Sequence, residues 1–109
     1  MNHELTALAD RDIAAILSET AVTFGPRQLA AYAAIIDRGV MMVAEDPQRP
    51  GSIDRSEIRP DLRLFHLELA VGRRGAAAHC LYCTPGKLSD GSEGVIILRV
   101  LHQHMEPPR

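Results

Sequence analysis

The chain has 109 residues, 46% of them apolar and 24% charged, with a formal charge of −2. This is the length of one domain with a single modest core, and its charge argues against a general nucleic-acid binder. No apolar run approaches transmembrane length and Met1-Asn2-His3-Glu4 does not open a signal peptide, so a cytoplasmic protein with reduced thiols is expected.

In chain order, residues 4–8 read as a short strand. Asp10 and Asp12 then place carboxylates at a helix start, where the macrodipole favours them. Ile13, Ile16, Leu17, Thr20 and Phe24 follow helical spacing. Gly25 stops this helix and Pro26 suits the first turn of the next, which forces a tight helical hairpin. The second helix is expected from Pro26 to about Glu45, with Leu29, Tyr32, Ala33, Ile36, Val40 and Val43 as its apolar stripe. Gly39 interrupts it at a cost of about 1 kcal/mol, which a close contact could explain.

A Pro- and Gly-bearing surface loop over 46–52 follows, and then a strand over 62–69. Gly72-Arg73-Arg74-Gly75 makes a loop and residues 79–84 a return strand. Pro85-Gly86-Lys87 with Asp90-Gly91-Ser92 reads as a second, looser hairpin loop. The stretch 95–104 is the most apolar and most β-branched in the chain. Period two places Ile96, Leu98 and Val100 on one face and Val95, Ile97, Arg99 and Leu101 on the other. Both faces are apolar, which predicts a central strand covered on both sides. Arg99 must then meet water, a carboxylate or a partner.

The fold class is therefore α+β in the order β-α-α-β-β-β. Its last three strands form an antiparallel meander, and the helical hairpin is packed on one face. Cys80 and Cys83 are too few for a disulfide framework, and in a strand they point to opposite faces. They imitate, with His102 and His104, a zinc-binding spacing. Leu81-Tyr82 supplies no knuckle turn, so no metal and no cofactor is expected.

Several segments together resemble the RelE/ParE family of toxins from bacterial type II toxin–antitoxin pairs, in its ParE-like branch. They are Leu5-Thr6-Ala7-Leu8-Ala9-Asp10, Glu45-Asp46-Pro47 with Arg49-Pro50-Gly51-Ser52, Glu57-Ile58-Arg59-Pro60-Asp61-Leu62-Arg63, Leu81-Tyr82, and Arg99-Val100-Leu101-His102 with Met105-Glu106. The resemblance implies one domain over residues 1–104 with a short tail over 105–109, and the first strand beside the last. It also implies a cognate antitoxin whose C-terminal segment wraps the toxin. ParE-like members are known for poisoning DNA gyrase and RelE-like members for cutting mRNA on the ribosome. Direct sequence-specific DNA binding and a membrane partner are not expected.

Cleaving RNA needs a base, an acid and cations. The candidates are Arg63, Tyr82, Arg99, His102 and His104, but the chain holds a single Lys, Lys87, where such nucleases cluster cations. Gyrase inhibition without chemistry is therefore the leading reading. A ribosome-dependent endonuclease and a non-toxic relic that only binds a partner are the alternatives. Arg59, Arg63 and Arg99 suit an acidic antitoxin segment, although Arg99 can equally pair with Glu68 or Asp61 across the sheet. Ile35, Met41 and Met42 lie off the main helical stripe and suit a groove for an antitoxin helix.

Overall fold

The computed structural model describes residues 2–107. Its elements are β1 (Asn2–Leu5), α1 (Ala7–Phe24), α2 (Pro26–Glu45), β2 (Ile53–Asp54), β3 (Arg63–His66), α3 (Glu68–Val71), β4 (His79–Lys87) and β5 (Glu93–His102). One sheet runs in the order β1-β5-β4-β3-β2. It is mixed: β1 lies parallel to β5 and the other pairs are antiparallel. The first strand thus lies beside the last, and β5 is an interior strand. Pro108 and Arg109 of the expected tail lie outside the described residues.

Helix α1 starts earlier than the carboxylates suggest, because Thr6 caps it. The Thr6 hydroxyl oxygen accepts from the Ala9 N–H at 3.0 Å and its proton goes to the Leu98 carbonyl at 2.8 Å. The Thr6 N–H donates to the Ile97 carbonyl at 3.0 Å, so one residue both ends β1 and fastens the helix to β5. Gly25 alone separates the helices. Its φ of 88° is open to glycine, its N–H closes α1 on the Ala21 carbonyl, and Pro26 begins α2.

The hairpin covers one face of the sheet. Ile36, Val40 and Val43 of α2 and Ala9 of α1 pack with Phe65, Leu67, Leu81, Cys83, Val95, Ile97 and Val100. Gly39 allows the close approach that its position hinted at: a Cβ there would collide with Leu67 and touch Leu81. The second face is covered by the turn at 55–62, where Ile58 and Leu62 pack on Cys80, Tyr82 and Leu101. Cys80 and Cys83 accordingly face opposite ways. Both thiols are free, and burial pushes each up to about 11, leaving them protonated and inert near neutral pH.

Four local expectations are corrected. The strand expected over 62–69 ends at His66, because the Glu68 N–H turns back to His66 Nδ1 at 3.1 Å and a helical turn, α3, begins. Pro85-Gly86-Lys87 is strand rather than loop. Beyond Cys83 the strand β3 no longer pairs with β4, and a free edge tolerates proline. The two-residue β2 is too short to leave a periodic signal.

The fourth correction concerns β5. Pairing passes from Tyr82 opposite Arg99 to Cys83 opposite Ile97, so Leu98 has no partner and bulges. The bulge breaks the two-residue period. Val100 therefore joins Val95 and Ile97 against the helices, while Leu98 and Leu101 face the second cluster.

Gly94 lies opposite Asn2, and a Cβ on it would sit 2.5 Å from the Asn2 carbonyl oxygen and 2.8 Å from Leu88 Cδ1. Gly94→Val is expected to prise β1 from β5 and cost about 2 kcal/mol or more, read as a lower urea midpoint.

Candidate functional site

Strand β1 stops at Leu5 while β5 continues to His102, so the last residues of β5 have an unpaired flank. Helix α1 closes it with side chains. Asp12 Oδ2 accepts from the Val100 N–H at 3.0 Å. The same carboxylate takes Arg99 in a two-pronged pair, Nε to Oδ2 at 2.8 Å and Nη2 to Oδ1 at 3.0 Å. The partner of Arg99 is therefore Asp12, not Glu68 or Asp61. The bulge at Leu98 is the reason, since it places Arg99 where a helix carboxylate reaches the strand's flank. The side chains are only 24% and 14% exposed, and the pair holds the guanidinium well above its usual range.

Beside this pair is a cavity of about 330 Å³ lined by Thr6, Leu8, Ile58, Arg59, Leu62, Leu98, Arg99 and Pro107. Its walls are chiefly apolar, with two guanidinium groups. Leu8 is half exposed at its margin. An apolar hollow with fixed cations suits a peptide that alternates apolar and acidic residues.

The far end of the same strands holds a different grouping. Tyr32 of α2 receives the Ala78 N–H at 3.1 Å and lies 2.6 Å from His79 Nδ1. The His79 ring meets His102 edge-on at 5.6 Å, and His102 meets His104 at 5.0 Å. His66 Nε2 lies 2.8 Å from Gln103 Oε1. Two cavities meet at His79. One, of about 470 Å³, lies between the start of α2 and residues 75–79; the other, of about 300 Å³, lies between α1 and His102. Burial first, then the neighbouring His102, holds His79 below its ordinary 6.5, with Glu19 opposing. The sign follows from linkage: an unfolded chain binds this proton more readily, so the stability due to His79 is complete above 6.5 and declines as pH falls through it.

The residues proposed for RNA cleavage do not converge on one cavity. Tyr82 is 2% exposed and donates to the Met105 carbonyl at 3.3 Å. Arg63 donates to Ser52 through both Nε, at 2.8 Å, and Nη2, at 3.1 Å. Arg99 is held by Asp12, His102 lies at the far end of β5, and His104 is exposed beyond it.

Of the residues proposed for antitoxin binding, Arg59 and Arg99 line the first cavity, whereas Arg63 lines another with Asp46, Asp54 and Asp61. Ile35 and Met42 lean on the core under the hairpin and Met41 is 52% exposed. Asp12, Tyr32 and His79 escape a reading of the chain alone. Tyr32 sits in an apolar stripe, and its only signal is that a half-buried hydroxyl requires a partner.

Two comparisons with known proteins bear on this geometry. The family model described as "ParE toxin of type II toxin-antitoxin system, parDE" matches residues 4–107, which spans every element described above. The chain belongs to the ParE toxin family. No match to a curated protein was found. As a ParE toxin it is one half of a two-component module, and membership implies a cognate antitoxin. Among the described residues of this toxin no helix is long and apolar enough to cross a membrane.

Proposed function

We propose that this ParE toxin acts by docking on DNA gyrase and stalling supercoiling, without chemistry of its own, and that its antitoxin neutralises it by covering the toxin surface. The observation that supports contact over catalysis is the commitment of the polar side chains. Arg99 is spent on Asp12, Arg63 on Ser52 and Tyr82 on Met105. Stabilising a phosphate in its transition state needs donors aimed at one point, and these are aimed at three. For the antitoxin, the cavity beside Arg59 and Arg99 offers cations set in an apolar wall, and Met41 offers an adaptable apolar contact on the hairpin.

Purified toxin is expected to abolish supercoiling by gyrase while leaving ribosome-bound mRNA intact, and added antitoxin to restore supercoiling. Ribosome-dependent mRNA cleavage that disappears in His104→Ala or Arg99→Ala would establish the endonuclease instead. Unimpaired gyrase, intact mRNA and normal growth without antitoxin would leave a partner-binding relic.

A further inference from the structure

The ends of β3, β4 and β5 meet at a corner where three imidazoles are used in the same way. His66 Nδ1 accepts from the Glu68 N–H at 3.1 Å, and His102 Nδ1 accepts from the His104 N–H at 3.3 Å. A backbone N–H can only donate, so each of these nitrogens must carry a lone pair. The third ring is His79. The Tyr32 hydroxyl already receives the Ala78 N–H, and the acceptor within reach of its own proton is His79 Nδ1. All three bonds therefore need Nδ1 unprotonated, with the proton on Nε2. That arrangement also suits His66, whose Nε2 then donates to Gln103 Oε1.

Each bond holds a different part of the corner, and Gln103 joins them. Its backbone N–H donates to the Ala78 carbonyl at 2.8 Å and its side chain receives His66. Beyond it, the Met105 N–H donates to the His102 carbonyl, the Met105 carbonyl receives Tyr82, and Glu106 pairs with Arg55 at 2.7 Å. Segment 103–107 is thereby drawn across the second face of the sheet, where Pro107 forms part of the wall of the cavity beside Arg99.

We propose that this corner is an acid-operated latch: protonating the imidazoles at His79, His102 and His66 removes the three Nδ1 acceptors, loosens α2 from Ala78 and frees segment 103–107 from the sheet. A proton on Nδ1 of His66 or His102 would face a backbone N–H, and one on His79 would turn the Tyr32 proton away with no second acceptor beside it. The charged and titratable groups facing the corner are few. His79 faces Glu19 of α1, Tyr32 of α2, His66 of β3 and His102 of β5, with Cys80 next to it on β4. Glu19 favours the charged form and the histidines oppose one another. Glu68 is held by the Gly75 N–H at 2.8 Å rather than by His66. Opening the latch exposes the cavity wall formed by Leu98, Ile58 and Leu62, so mild acid alters the face available to a partner, whatever the toxin's target.

Hydrogen exchange on the full chain tests this, with protection factors corrected for intrinsic rate. Protection at the amides of Ala78, Gln103 and Met105 is expected to fall about tenfold or more between about pH 8 and about pH 5, while Val95 and Ile97 keep theirs. His79→Asn places an amide oxygen near the Nδ1 position, which can accept from Tyr32 but cannot titrate, and is expected to flatten the fall at Ala78. No fall in the wild type, an equal fall at Val95 and Ile97, or an unchanged fall at Ala78 in His79→Asn would overturn the latch. Should that variant not fold, nitrogen chemical shifts of the wild-type imidazoles decide. Nε2–H tautomers at about pH 8 support the latch, and Nδ1–H at His79 removes it.

Discussion

Asp12→Ala is expected to destabilise the toxin by about 3 kcal/mol, more than the loss of an ordinary surface ion pair. Two groups lose their partner together. The Arg99 guanidinium, 24% exposed, keeps its charge but has no carboxylate, and the Val100 N–H on the strand flank has no acceptor. The double variant Asp12→Ala/Arg99→Leu should recover part of the loss, because an uncompensated charge costs more than an absent pair. A coupling of about 1–3 kcal/mol in that cycle is expected from urea unfolding. A loss in Asp12→Ala below about 1 kcal/mol would mean that water already screens the pair. The consequence reaches beyond stability. With Asp12 gone, the flank of β5 becomes an open edge, so self-association of the variant is expected in sedimentation.

Gly39→Val is expected to cost about 3 kcal/mol and to lower the melting temperature accordingly. Glycine is a poor helix former, so the same change on a solvent-facing turn would be mildly favourable. Here the added atoms meet Leu67 and Leu81, both fully buried, and neither has room to turn away. Helix α2 would have to rise off the sheet, weakening the contacts of Ile36, Val40 and Val43 on either side of it. Ala34→Val, on the exposed side of the same helix, serves as the control and should change stability by about 0.5 kcal/mol. Equal effects in the two variants would rule out the close approach of helix to sheet as the reason for glycine.

These two positions show how much of the molecule could be read in advance. At Gly39, a costly residue in a good helical pattern signalled a close neighbour, but not which one. At Arg99, a charge in an apolar strand signalled a required partner, but the partner lies 87 positions away in a helix whose other acids are exposed. The catalytic set was legible only as residue types. Once folded, Tyr82 is buried, Arg63 turns to Ser52, and His102 and Arg99 lie at different points along β5.

Local chemistry in the chain was enough for the helical hairpin, its hinge at Gly25-Pro26, the three-strand meander, the opposed cysteines and the family resemblance. Each of these depends on neighbours within a few residues, or on an order of elements that short loops enforce. Packing alone decided the bulge at Leu98 and, through it, which face each residue of the last strand presents. One unpaired residue shifts every side chain beyond it, and nothing in the spacing of Ile97-Leu98-Arg99 marks the place. The junction of Asp12 with Arg99 and the imidazole corner around Tyr32 depend in the same way on groups far apart in the chain, which meet only because a two-helix layer is laid across the sheet.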